Sequence, residues 1–181
     1  MDELIDILNA DGKPCGETCM KSFAHKNGLF HASVHIWIFD EHNNVLIQKR
    51  KENKDTFPNF WDISVAGHIS AGEQSIISAI REIEEEIGLS VTASQLEFID
   101  TFKKKIIHSK ELIDNELHYI YMCKLNFKLS NLKIQKEEVS ALNSIKLVQL
   151  KRDIKNSTLK FVPHGADYFK LVFKAIKKYN I

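Results

Sequence analysis

The stretch from Ser75 to Ile87 constrains this chain more than any other. Ile76, Ile80, Ile83 and Ile87 recur there at i, i+4, i+7 and i+11. That period lines the isoleucines along one side of an α-helix, which must bury them against another layer of structure. Gly88 follows at once and supplies the left-handed residue on which such helices stop. On the same helix Glu82, Glu85 and Glu86 stand at i, i+3 and i+4. At about 100° per residue they share one face. That face is offset from the isoleucine stripe, so the helix is expected to bury one side and present an acidic cluster on the other.

Clustered carboxylates repel one another at neutral pH unless a cation neutralises them. The residues alone leave two readings open, a solvated acidic face or a metal site. For a metal, oxygen ligands without a thiol or imidazole cage point to Mg²⁺, with Mn²⁺ as the alternative, rather than zinc. Magnesium commonly shares its shell with substrate phosphates, so the metal would itself imply a phosphorylated substrate.

The chain has 181 residues. That length suits one domain over 1–181, with 1–30 as an N-terminal extension packing on it. A formal net charge of +1 gives no global reason to expect nucleic-acid or membrane binding. The lysine runs at Lys103-Lys104-Lys105 and Lys177-Lys178 lack interleaved aromatics and read as solvated faces. No apolar run reaches membrane-spanning length, and the acidic start lacks the form of a signal peptide. Cys15, Cys19 and Cys123 are sparse and lack metal-ligand spacing, so they read as structural thiols in a reducing cytoplasm. Assembly stays open between monomer and homodimer.

Elsewhere the β-rich runs 33–39 and 45–48 flank the turn-forming segment 40–44 and suggest a hairpin. Strands are expected at 4–8, 61–65, 96–102, 117–125 and 145–150, and a terminal helix at 168–179. Strands interleaved with helices give an α/β or α+β class with a mixed sheet.

Gly67, Glu73, Arg81, Glu82, Ile83, Glu85, Glu86, Gly88 and Leu89 stand at the spacing of the Nudix signature without a gap. A chance match is about one in 10⁸ per starting point at ordinary residue usage, which removes the solvated-face reading. The resemblance implies an α/β/α sandwich with a mixed sheet and a loop–helix–loop motif. It implies that Glu82, Glu85 and Glu86 form the metal and base cluster with Gly67 beside them. Arg81 would orient a glutamate, and Glu73 would hold the loop. The implied reaction is Mg²⁺-dependent cleavage of a diphosphate linkage in a small metabolite, such as a nucleoside diphosphate derivative.

Outside this box, the segment from His25 through His31, Arg50 to Trp61 and Ser64 to His68 resembles the type I isopentenyl-diphosphate isomerases and the hydrolases most similar to them. The isomerases carry a cysteine immediately before the box glycine. Here Ala66 stands there and can neither donate nor accept a proton. Asp114-Asn115-Glu116 matches the isomerases' acidic run, which makes Glu116 a candidate metal ligand and proton-transfer group. His25, His31 and His68 echo their metal-binding histidines, with His68 the best aligned. Arg50 and Lys54 correspond to diphosphate-binding positions, where arginine forks and lysine point charges suit phosphate oxygens. The partner implied is therefore a small diphosphate. The alternatives are an isomerase of isoprenoid diphosphates and a non-catalytic diphosphate-binding module.

Overall fold

The computed structural model describes residues 2–179. Strand β3 (His31–Phe39) is the axis of the sheet, and its alternation divides the molecule into layers. Val34, Ile36 and Ile38 point to one face, where they pack with Val65, Ala79, Ile83 and Ile87. Trp37 and Phe39 point to the other, against Leu150, Tyr168, Val172 and Ile176. A period of two therefore feeds two cores from one strand. The first core is roofed by α2 (Ser75–Ile87), the second by α3 (Leu147–Asn156) and α4 (Ala166–Lys178). The result is the α/β/α sandwich with a mixed sheet.

β3 pairs in parallel with β8 (Leu112–Lys124) along its whole length and antiparallel with β6 (Val65–His68). β8 in turn carries β7 (Glu97–Ser109) as an antiparallel partner. The hairpin of β1 (Leu4–Leu8) and β2 (Pro14–Met20) joins the sheet through Ile7 opposite His31, and α1 (Lys21–Asn27) follows it. This positioning matters, because α1 carries His25 to the end of the sheet where β3 and β6 present His31 and His68.

Several expectations give way here. The runs expected as a hairpin, β3 and β4 (Asn44–Arg50), pair only at Phe39 and Val45 beside their turn. β4 leaves β3 to pair with β9 (Val139–Lys146) and with the short β5 (Trp61–Asp62). A turn specifies its own closure but not how far two strands stay together. The expected strand at 61–65 splits into β5 and β6, and the one at 145–150 turns into α3 at Leu147. There Leu147 and Leu150 need a helical spacing to reach one core.

On α2, Ile83 and Ile87 are fully buried. Each is worth roughly 1.5–3 kcal/mol against exposure. Gly88 closes the helix at φ 65°, as its position requires. The acidic face, however, is not an open one: Glu82 and Glu86 are buried and Glu85 alone of the three is exposed. No helix of the described residues is long and apolar enough to cross a membrane.

Candidate functional site

A cavity of about 540 Å³ opens over the ends of β3, β6 and β8 and the flank of α2. Gly67, Glu82, Glu85, Glu86, His68, Glu116, Arg50 and Lys54 all line it. It divides into three neighbourhoods of different chemistry.

The first is the glutamate helix against β6. Glu82 lies directly on Gly67, where an added Cβ would come within 2.1 Å of the Glu82 carboxyl carbon. Glycine is needed there because the carboxylate occupies the space of a side chain. Arg81 holds the arrangement together. Its Nη1 donates to Glu82 Oε1 at 2.7 Å and to Glu85 Oε2 at 3.1 Å. Its Nη2 donates to Glu73 Oε2 and to the His68 carbonyl, both at 3.1 Å. Ser78 Oγ donates to the same Glu73. One guanidinium thus ties the loop, the strand and two helix glutamates in a single fork.

Glu86 accepts a bond from Gln48 Nε2 at 2.9 Å. Burial, then the charge of Glu82, pushes its pKa up to about 8. Burial also raises Glu82, although Arg81 opposes it. Two buried carboxyls, one held protonated by burial and by the charge of the other, could cradle a cation.

The second neighbourhood is a histidine cluster. His25 Nε2 lies 3.2 Å from both His31 Nε2 and His68 Nε2. The opposite nitrogens face oxygen acceptors at different distances. His31 Nδ1 is 2.8 Å from the Leu29 carbonyl, His68 Nδ1 is 3.5 Å from Glu3 Oε1, and His25 Nδ1 is 3.9 Å from Asp114 Oδ1. The carbonyl contact places the ring proton of His31 on Nδ1, and the three Nε2 atoms converge on one point. Burial holds His68 well below its ordinary pKa and lowers His25, as does His31 beside it.

Glu116 completes the group, with Oε1 3.9 Å from His31 Nε2 and 3.8 Å from His68 Nε2. Burial would raise this carboxyl, but His118, His68 and His31 outweigh it and hold it well below the usual range. Three ring nitrogens and a carboxylate, all within 4.8 Å of one another, could hold a divalent cation. Neighbouring acceptors on Nδ1 are what orient such ligands. The absence of an imidazole cage, expected from the helix alone, therefore does not hold for the cavity. Glu116 and His68, both candidate metal ligands from sequence, sit in this cluster. His25 lies within reach of both other histidines.

The third neighbourhood is the basic rim. Arg50 lines the cavity, but its donors are engaged: Nε and Nη2 bond the Thr56 carbonyl at 3.0 and 2.9 Å, and Nη1 reaches Asp62 Oδ2 at 3.4 Å. It shapes the loop that carries Phe57, a bulky residue held at φ 47°. Lys54 pairs with Glu138. Lys104, expected on a solvated face, instead lines the cavity, because strand alternation turns it inward while Lys103 and Lys105 stay exposed. A period-two reading of β7 would have found it. Of the cysteines, Cys15 is exposed and Cys123 is buried in β8, its thiol pushed up to about 11 by burial. Among the described residues lining the cavity none is a cysteine, and Ala66 stands beside Gly67.

Comparison with known proteins agrees with this geometry. The family model for the NUDIX domain matches residues 29–165. Nudix hydrolase 3 of Arabidopsis thaliana is 34% identical over 176 residues, covering 94% of this chain and 23% of that longer protein. The chain thus spans about a quarter of that relative's length. An uncharacterized Nudix hydrolase of Listeria monocytogenes is 33% identical over 159 residues, covering 88% of both chains. The isopentenyl-diphosphate Delta-isomerase of Serratia proteamaculans is 31% identical over 122 residues, or 67% of this chain and 66% of that one. A solved structure from Deinococcus radiodurans superposes with a TM-score of 0.73 over 95% of this chain and 98% of its own, at 16% identity. That likeness concerns the fold. The chain belongs to the Nudix hydrolase family, in a branch that resembles the isopentenyl-diphosphate isomerases.

Proposed function

We propose that this protein hydrolyses a diphosphate linkage in a small metabolite, such as a nucleoside diphosphate derivative, with divalent cations, Mg²⁺ or Mn²⁺, at the glutamate helix. The observation that carries the reading is the buried pair Glu82 and Glu86 over Gly67, whose joint ionisation a further cation would favour. Glu82, Glu85 and Glu86 would hold the metal beside the Gly67 backbone, and His25, His31, His68 and Glu116 would hold a second one. A divalent cation bound there polarises a phosphoryl oxygen and lowers the pKa of the attacking water. Arg81 fixes the orientation of Glu82 and Glu85 and keeps them from swinging away. A helix carboxylate accepts the water proton as the new P–O bond forms and the bridging P–O bond breaks, a role worth about 10²–10⁴-fold. Lys54 and Lys104 add positive charge to the wall and favour a polyanionic substrate.

Isomerisation of an isoprenoid diphosphate is the second reading, supported by the histidine and Glu116 cluster. Ala66 and the absence of a cavity thiol among the described residues weigh against it. The test is a phosphate-release screen over nucleotide, sugar and isoprenoid diphosphates with Mg²⁺ or Mn²⁺, with E86Q as control, beside an assay for double-bond migration in isopentenyl diphosphate. Release that depends on metal and is lost in E86Q supports hydrolysis. Full activity in E86Q, or migration without release, refutes it.

A further inference from the structure

Behind the metal-binding groups, the same cavity is lined by His35, His118, His164 and Asp62, none of which the proposed chemistry uses. All four are buried. Such a concentration of polar groups in an interior is costly unless each finds a partner.

Their hydrogen bonds can be followed one by one. Trp37 Nε1, which can only donate, bonds the Tyr168 hydroxyl at 3.0 Å. The Tyr168 O–H is then left to donate to His35 Nδ1 at 2.9 Å. His35 therefore carries its ring proton on Nε2, and that N–H has no protein acceptor among the described residues. His118 Nδ1 faces Glu116 Oε2 at 3.3 Å and Ser33 Oγ at 2.8 Å. Both contacts engage Nδ1 and leave the opposite ring nitrogen, Nε2, without either of them. This Nε2 is buried and has no partner. The two rings cannot satisfy each other, because they stack with centroids 3.9 Å apart and planes 20° apart, whereas ring N–H bonds lie in the ring plane. His164 is held by its Nε2 on Asp62 Oδ1 at 2.7 Å, so its Nδ1 is a second acceptor in the same wall.

We infer that this histidine-lined end of the cavity is a specificity subsite for a hydroxyl-bearing organic moiety, of the kind a sugar supplies, and selects against a hydrocarbon tail. A hydroxyl both donates and accepts. It can meet the unpartnered N–H of His35 and the unpartnered Nε2 of His118 whether or not that nitrogen carries a proton, whereas an alkyl chain would leave both unmet. Sites built around hydrogen bonds reject analogues lacking the group far more strongly than apolar pockets reject extra atoms. The inference rests on the hydrolase reading for the position of the diphosphate, but the subsite itself is read from side chains outside the glutamate helix and the basic rim.

Binding and turnover test it separately. In the metal-free chain, ¹⁵N spectra of the histidine rings are followed while ribose 5-phosphate, AMP or isopentenyl monophosphate is added. The expected result is a shift of the His118 and His35 Nε2 signals with ribose 5-phosphate and AMP and none with isopentenyl monophosphate. A shift with AMP alone assigns the contacts to the base and overturns the hydroxyl assignment. No shift with any of them means that water alone fills the subsite, and also overturns it. In turnover, the ratio of kcat/KM for ribose-bearing over isopentenyl diphosphate is compared in the native enzyme and in H118N. The asparagine amide keeps an N–H toward Ser33 and Glu116 and removes Nε2. A fall of about tenfold in that ratio is expected from one lost hydrogen bond. H164F, which spares the stacked pair, serves if H118N does not fold, with the same fall expected. Equal ratios refute the subsite while leaving hydrolysis standing. Failure of every substrate, with the ring shifts intact, refutes hydrolysis and leaves the subsite.

Discussion

Replacing Glu86 by glutamine isolates the electrostatic strain in the buried glutamate pair. Glu86 is only 7% exposed, and its carboxyl titrates near 8 rather than at 4.5 because burial and the charge of Glu82 disfavour its ionisation. In the metal-free protein the native state therefore holds this proton over a range in which the unfolded chain has lost it. Stability then declines as pH rises from about 4.5 to about 8 and levels off above. The full interval corresponds to roughly 5 kcal/mol, an upper value because Glu82 and Glu86 titrate together. Lowered histidines such as His25 and His68 act with the opposite sign, so the contribution of Glu86 is read as a difference between two proteins. An amide in place of the carboxyl keeps an acceptor for Gln48 Nε2 and carries no charge. The assay is urea unfolding of metal-stripped native protein and E86Q between about pH 5 and about pH 8.5, the span over which the linkage acts. The two are expected to be similar in stability at the acid end, with E86Q more stable by a few kcal/mol at the alkaline end. Parallel stability curves across that range would show that no strained carboxyl exists at this position.

The remaining predictions address other parts of the site. G67A places a methyl 2.1 Å from the Glu82 carboxyl carbon, so the strand or the carboxylate must move. A loss of about 1–3 kcal/mol is expected together with loss of hydrolysis, and a thermal melt and activity both like the native protein would contradict the packing described. Cobalt titration should give a visible spectrum with nitrogen ligation in the native chain and a much weaker one in H31A, since His31 contributes one of three convergent ring nitrogens; an unchanged spectrum places the metal elsewhere. Alkylation of the native protein should modify exposed Cys15 and spare Cys123, whose buried thiol is pushed up to about 11. Turnover should survive that treatment, and its loss would point to thiol chemistry.

What the residues alone determined is what depends on local spacing. The isoleucine period fixes α2, Gly88 ends it, and the box from Gly67 to Leu89 identifies the family, because a helix turns by a constant angle and its side chains are ordered by their own sequence. The place of Glu116 and the histidines was legible only through resemblance. Tertiary structure decided the rest. It buried Glu82 and Glu86 against Gly67, which makes them strained rather than solvated, and turned Lys104 inward. It also brought His25 from α1, His31 from β3, His68 from β6 and Glu116 from β8 to one point. No local rule relates residues so far apart in the chain; their meeting follows from strand register, above all the parallel alignment that sets His31 opposite Glu116. The stacking of His35 on His118 has the same origin, since the register that puts Ser33 opposite His118 brings two neighbouring strands' rings onto one face.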